Sequence, residues 1–262
     1  METALPPVHQ AFFFDRRWPV LYEDNHLLAL YKPSGLLVQG DPTGDACLLE
    51  LGKRWLKARY GKPGRVFLAM LHRLDRPAAG VVLFARTSKA AGRLARQFRD
   101  RSVDKRYLVV VHGSVGSASA RLIDHIERRE RVSRVVPSPT RTSQEARLTY
   151  RVLDRSDRAS LLQVDLETGR RHQIRIQLAR RGHPVMGDLR YGADKPMPEK
   201  QIALLAQVLS VDHPTLGRRL TVEVPVPQGW PWPGGPGPEE GGLPWSWRVF
   251  DSVFTTAGTD VD

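Results

Sequence analysis

Residues 71–80 read "LHRLDRPAAG". A histidine, two arginines and an aspartate fall at positions 72–76, and small residues and a glycine follow. Apolar runs flank the stretch, "RVFLAM" (65–70) before it and "GVVLFAR" (80–86) after it. The second has the composition of a buried strand. A carboxylate beside two guanidinium groups, set between core segments, admits two readings. It is a structural ion pair at a strand end, or a reactive aspartate whose neighbours favour its charged form. This stretch alone leaves both open.

Working outward, "HLLALY" (26–31) reads as an apolar strand entering the turn "KPSG" (32–35), and a short strand and a loop follow over 36–45. Asp45 is placed to cap a helix over 46–60, with Leu48, Leu49, Trp55, Leu56 and Tyr60 on its apolar stripe. The clearest helix is "TSKAAGRLARQFRDRSV" (87–103), capped by Thr87 or Ser88, with Ala91, Leu94, Ala95 and Phe98 on one face. Lys89, Arg93, Arg96 and Arg99 take the other face, which suits either solvent or RNA phosphate. "KRYLVVVHG" (105–113) is a strong strand. Residues 114–145 are polar and Arg-rich and suggest short strands and loops. Residues 146–167 read as a hairpin turning at "DRSDRA", and 203–227 as another turning at "HPTLGR". Between them, "TGRRHQIRIQLARRGHP" (168–184) gives a turn and a short helix stopped by Gly182 and Pro184. Many hairpin-linked strands with few helices indicate an α+β or mixed-sheet plan.

Composition bounds the function. The 262 residues allow one large domain or two small ones, and the net charge is +12. The Pro-, Gly- and Trp-rich segment from Gly229 onward is itself acidic, so the body is more basic than the whole chain. A basic body suits a polyanionic partner, nucleic acid first. The three expected segments are an arm over 1–19, a body over 20–228 and a tail over 229–262, whose tryptophans (Trp230, Trp232, Trp245 and Trp247) suggest that parts of it pack back. No run of about 18 apolar residues occurs, so no membrane span is expected. The first residues do not read as a secretory signal, and a single cysteine, Cys47, excludes an internal disulfide, which together suggest the cytoplasm. Cys47 sits on a helical apolar stripe and reads as core rather than as a nucleophile. The sequence has no His-Glu-x-x-His, no P-loop, no dinucleotide fingerprint and no Gly-x-Ser-x-Gly elbow. No metal is expected.

"HRLDRPAAG" resembles the His-Arg-Leu-Asp-x-x-Thr-Ser-Gly motif of RluA-type RNA pseudouridine synthases. Three further segments resemble that family in the same order: "YEDNHLLALYKPSGLLV" (22–38), "SVDKRYLVVVHG" (102–113) and "LETGRRHQIRIQLARRGHPVMGDLRYG" (166–192). The resemblance implies isomerisation of uridine to pseudouridine in ribosomal or transfer RNA, without cofactor or metal. It also implies the pseudouridine synthase fold, a long bent mixed sheet, mainly antiparallel, flanked by helices and crossed by an active cleft. Relatives of this type are often monomers.

Through the resemblance, Asp75 takes the role of catalytic nucleophile, Arg175 that of its basic partner and Tyr107 that of the active-site tyrosine stacking on the base. Arg73 takes the role of filling the gap left by a flipped base. Arg76, Lys105, Arg170 and Arg171 are assigned to RNA contact, the last two alternatively to supporting the loop that carries Arg175. Leu178 packs beneath the base or belongs to the core. His72 is expected to position its loop. Lys32 and Pro33 are read first as architectural, with phosphate contact a second use of Lys32. Two departures stand out: Ala78 and Ala79 replace the motif's Thr-Ser, and Gln177 stands where relatives often have histidine. The rival readings are a non-catalytic RNA-binding protein that retains the fold, and a different cofactor-free enzyme of nucleic acid.

Overall fold

The computed structural model describes residues 20–129, 132–232, 243, 245 and 246, so the arm over 1–19 and Trp247 lie outside the described residues. The strand after the opening stretch, β4 (Ala79–Ala85), is the hub of the sheet. Every residue of β4 is buried, which is why its sequence shows no polar alternation. β2 (Leu27–Lys32) runs antiparallel along one edge of β4, from Leu27 opposite Ala85 to Lys32 opposite Gly80, and β1 (Val20–Glu23) pairs outside it.

The other edge of β4 is shared between two partners. Phe84 and Ala85 pair with the short β3 (Ala69–Met70). Ala79 and Gly80 pair in parallel with Leu205 and Ala206 of β10 (Leu204–Asp212). Gly80 is required at this crossing: its φ is +132°, and a Cβ there would lie 2.3 Å from the Ala206 carbonyl oxygen. Where the partners part, the Leu83 N–H donates instead to His72 Nε2 at 3.0 Å.

Beyond β10 the order is β5 (Asp104–His112), β9 (Ala159–Leu166), β8 (Gln144–Arg155), β6 (Ser119–Arg129) and β7 (Val132–Val136). β11 (Arg219–Glu223) pairs antiparallel with the second half of β10. The result is an 11-stranded mixed sheet in which β4–β10 is parallel and the other named pairs are antiparallel. Three α-helices accompany it among the described residues: α1 (Leu48–Arg59), α2 (Ser88–Asp100) and α3 (Gln173–Ala179). This is the expected α+β class.

The core has two main parts. One joins β2 and β4 to α1 and α2, and the other joins β5, β8 and β9 to α3. Removing the fully buried Phe84 ring from the first would cost about 3–5 kcal/mol. Cys47 is buried, as expected. The described part of the tail packs back: Trp230 and Trp245 lie 5.3 Å apart between ring centres against the core, and Trp232 Nε1 donates to Asp154 at 3.1 Å.

Local expectations needed three corrections. Asp45 does not cap α1. Cys47 is the cap residue without a side-chain bond, and the Leu48 and Leu49 N–H groups donate to the Leu37 and Val38 carbonyls. The buried face of α2 carries Ala90 and Leu94, while Ala95 is exposed; Thr87 caps that helix, its Oγ1 accepting from Ala90 N. Residues 114–145 hold an 11-residue strand, β6, rather than only short ones. Its inward row is Leu122, Asp124 and Ile126, and the carboxylate between the two apolar residues disguises the alternation. Asp124 is held there by Gln177 Nε2 at 2.7 Å and by Arg181.

Candidate active site

The residues between β3 and β4 form a loop clamped from behind by the "KPSG" turn. Lys32 lies at the end of β2 with 0% exposure, and its Nζ donates to the carbonyls of Pro33, Leu36 and Arg76 at 3.0, 2.8 and 3.1 Å. Ser34 Oγ donates to the Pro77 carbonyl at 2.7 Å, and Gly35 N donates to the Arg76 carbonyl at 2.8 Å. Burial, with Arg76 nearby, outweighs the favourable charge of Asp75 and brings the Lys32 ammonium down to about 7. Lys32 is therefore architectural, and its burial excludes the phosphate contact. The loop closes on itself through Ala78 N to the Asp75 carbonyl at 3.0 Å. Because this closure uses backbone only, Ala78 and Ala79 serve without the hydroxyls of Thr-Ser, and both are buried.

The front of the loop presents Asp75. Arg175 on α3 donates from Nη1 to Asp75 Oδ2 at 2.8 Å, joining residues 100 apart in sequence. The same guanidinium is gripped from its other side by Asp188, from Nε to Oδ2 at 2.6 Å and from Nη2 to Oδ1 at 2.8 Å. Its Cζ lies 5.0 Å from the centre of the Tyr191 ring. Burial opposes the Arg175 charge, but the bonds and charges of Asp188 and Asp75 overcome it and raise the guanidinium further above its ordinary value. The opening aspartate is thus an ion pair, but one whose carboxylate remains partly exposed, at 23%, on the wall of a cleft.

That cleft has a volume of about 620 Å³. Arg73, Arg99, Arg101, Lys105, Arg170 and Arg171 line it together with Asp75, Tyr107 and His172. Of its acidic lining, Glu167 is engaged by Arg121 at 2.8 and 2.7 Å. Cations therefore dominate the lining around Asp75. Burial, followed by the charges of Arg101 and Arg170, brings the Lys105 ammonium down to about 8. Burial and the Asp75 charge hold the Tyr107 hydroxyl above its ordinary value, so it is a neutral phenol at neutral pH. His72 lies beneath the loop, stacked on Phe98 at 5.2 Å between ring centres, and burial with Lys105 lowers it to about 4. It is then neutral and able to accept from Leu83 N, in line with a loop-positioning role.

The structure brings Asp75, Tyr107, Arg73, Lys105, Arg170 and Arg171 to one cleft, with Arg175 bonded to the carboxylate from outside the cleft lining. Arg170 also supports its loop, Nε donating to the Glu145 carbonyl at 2.9 Å. Two assigned residues lie elsewhere. Arg76 bonds Gly35 O from Nε at 2.9 Å and Asp45 from Nη2 at 2.7 Å, outside the cleft lining, because the loop turns its side chain back toward the clamp. Leu178 is 2% exposed and packs in the core around Tyr107 rather than on the cleft surface. Sequence reading missed Asp188 and Tyr191 as members of the Arg175 constellation, and it grouped His172 with Arg170, Arg171, Gln173 and Arg175 without giving it a role. A signal existed for the first: an aspartate in the compact "GHPVMGDLRYG" block, close after an Arg-rich helix, is a natural partner for a buried arginine.

Comparison with known proteins bears on this geometry. The family described as RNA pseudouridylate synthase matches residues 26–180. The ribosomal large subunit pseudouridine synthase C of Escherichia coli (strain K12) is 35% identical over 227 residues, covering 80% of this chain and 67% of that protein. The ribosomal large subunit pseudouridine synthase D of Nitrosomonas europaea is 34% identical over 219 residues, covering 79% of this chain but 62% of its own length. The chain thus spans about two thirds of these relatives. Among solved structures, human RNA pseudouridylate synthase domain containing 4 superposes with a TM-score of 0.68 at 23% identity, over 80% of this chain and 89% of that one. Human RNA pseudouridylate synthase domain containing 1 gives 0.65 at 24% identity, over 81% and 85%. These two show the shared fold. With the family match extending from β2 through α3, the chain belongs to the RNA pseudouridylate synthase family.

Proposed function

We propose that this protein isomerises uridine to pseudouridine within RNA, with Asp75 as the nucleophile. The observation that carries the reading is the Asp75 carboxylate, tied at one oxygen to Arg175 and lining a cleft rich in arginine and lysine. In this reading Asp75 attacks the nucleoside and the N1–C1′ bond breaks. The freed uracil turns within the cleft, a C5–C1′ bond forms, and the bond between Asp75 and the nucleoside breaks, which returns the free carboxylate. The C5 proton leaves to solvent and N1 takes one up, so the balance is an isomerisation that calls for no cofactor. Tyr107, a neutral phenol beside Asp75, stacks on the uracil. Arg73, exposed at the cleft mouth, fills the stack vacated by the flipped nucleotide. Lys105, Arg170 and Arg171 meet phosphates. Ribosomal RNA is the favoured substrate, since the relatives named above are ribosomal large subunit synthases. The same reading takes the protein as a cytoplasmic monomer, a setting that suits the ribosomal RNA named for the bacterial relatives.

The test is tritium release from RNA labelled at uracil C5. Wild-type protein releases tritium, and Asp75→Asn stops release while leaving RNA binding largely intact. A wild-type protein that binds RNA and releases no tritium from any cellular RNA is the non-catalytic RNA-binding protein instead.

A further inference from the structure

Arg175 holds only one oxygen of Asp75. The other, Oδ1, lies 3.6 Å from His172 Nε2, a separation that a closure of about 0.5 Å on substrate binding would convert to a hydrogen bond. The far side of the His172 ring is fixed: Nδ1 and the Tyr191 hydroxyl are 2.6 Å apart. Tyr191 also lies against the Arg175 guanidinium, so one residue touches both groups that reach Asp75. The His172 backbone is left-handed, with φ 57° and ψ 22°, a conformation that non-glycine residues adopt at a cost and that occurs preferentially at functional positions. It places the ring at the start of α3, between Asp75 and Tyr191.

We propose that His172 is a positioning residue for Asp75: fixed through Nδ1 by the Tyr191 hydroxyl, it offers an Nε2–H to Oδ1, the carboxylate oxygen that Arg175 leaves free. Held at both oxygens, the carboxylate plane cannot rotate, and each oxygen keeps a lone pair for attack. The inference rests on Asp75 acting as the nucleophile. Burial is the first cause that brings His172 down to about 4. Arg175, Arg171 and Arg190 act in the same direction and Asp75 against it. A neutral imidazole carries one N–H; in the proposed arrangement the Tyr191 hydroxyl is the donor to Nδ1, and that N–H is then on Nε2. Arg171 Nε stands 3.5 Å from Nε2 as a donor, a long contact that the Nε2–H tautomer gives up in favour of Asp75 Oδ1.

Two substitutions separate positioning from a purely structural role. A glutamine amide reaches about where Nε2 lies and an asparagine amide about where Nδ1 lies. Asparagine also tolerates the left-handed backbone, so His172→Asn keeps the Tyr191 side and loses the Asp75 side. His172→Gln does the reverse. The substrate is RNA from cells that lack the protein, labelled with C5-tritiated uridine, and the readouts are kcat for tritium release and Kd for the same RNA. His172→Asn lowers kcat about 10²-fold with Kd unchanged, His172→Gln stays much closer to wild type, and Tyr191→Phe falls between them. Wild-type kcat in His172→Asn, or equal losses in the Asn and Gln variants, overturns the proposal. Nitrogen NMR of the His172 ring reads the tautomer without turnover, so it stands even if wild-type protein releases no tritium. An Nε2–H tautomer supports the proposal, and an Nδ1–H tautomer overturns it.

Discussion

Two buried cations hold the Asp75 loop, Lys32 from behind and Arg175 from the front. Lys32 is 0% exposed and Arg175 5%. Both donate to the loop, Lys32 to the Arg76 carbonyl and Arg175 to the Asp75 carboxylate. Their compensation differs. Lys32 has three carbonyl dipoles as its bonded partners, and burial brings its ammonium near neutrality. Arg175 has two carboxylates in a planar fork and is driven the other way. A compact ammonium on a flexible stem suits converging carbonyls, and a rigid guanidinium suits carboxylates on two sides. The contrast teaches how charge is kept beside an active carboxylate. The group that touches Asp75 keeps its charge at any working pH, and the group that only shapes the loop need not.

Breaking the Arg175 side gives the largest expected effect. Arg175→Met leaves Asp188, whose side chain is 1% exposed, without a counter-charge, and leaves Asp75 without its anchor. The expected loss is about 3–5 kcal/mol of stability in urea unfolding, with tritium release abolished. Lys32→Met is milder because it removes the desolvated charge along with its bonds. The three carbonyls lose a donor, but the Arg76 carbonyl keeps the Gly35 N–H. The expected cost is about 1–2 kcal/mol, with activity reduced but measurable. If Lys32→Met proves the more damaging of the two, the distinction drawn between the cations fails.

The sequence exposed the Arg175 side better than the Lys32 side. Asp75 and Arg175 came from motifs that a family resemblance tied together across 100 positions. No local pattern in either segment shows that they meet, because the contact exists only once the fold brings α3 to the β3–β4 loop. Asp188 escaped notice for a related reason: its role exists only once a guanidinium with a free edge is in place. The β2, β4 and β5 strands were legible as continuous apolar runs. β6 was not, since Asp124 interrupts its inward row and finds its partners on α3 and just beyond it. For Lys32 the sequence favoured an architectural role, but its carbonyl cage depends on a tertiary meeting of two turns.

Proton linkage tests the contrast more finely. Lys32 titrates near 7 in the folded chain and near 10.5 when unfolded, so between those values the unfolded state binds more protons. Stability contributed through Lys32 therefore rises with pH across that window and is lost as pH falls back through it. The difference in unfolding free energy between wild type and Lys32→Met should shift in favour of wild type by about 1 kcal/mol from pH 7.5 to 8.5. Asp75→Asn should deepen the trend, since its carboxylate favours the charged lysine. A flat difference would mean that Lys32 stays charged in its cage.

The smallest effect separates two arginines that the opening stretch places three residues apart. Arg76 pairs with Asp45, both near half exposed, an arrangement that contributes at most about 1 kcal/mol. Its Nε serves Gly35 O in the clamp behind the loop. Arg73 is exposed on the cleft lining. If only the cleft side meets RNA phosphate, Arg73→Ala lowers the slope of log binding constant against log salt by about one unit, while Arg76→Ala leaves that slope unchanged. Equal slopes for the two variants would place RNA against both faces of the loop, and the clamp behind Asp75 would then be part of the binding surface.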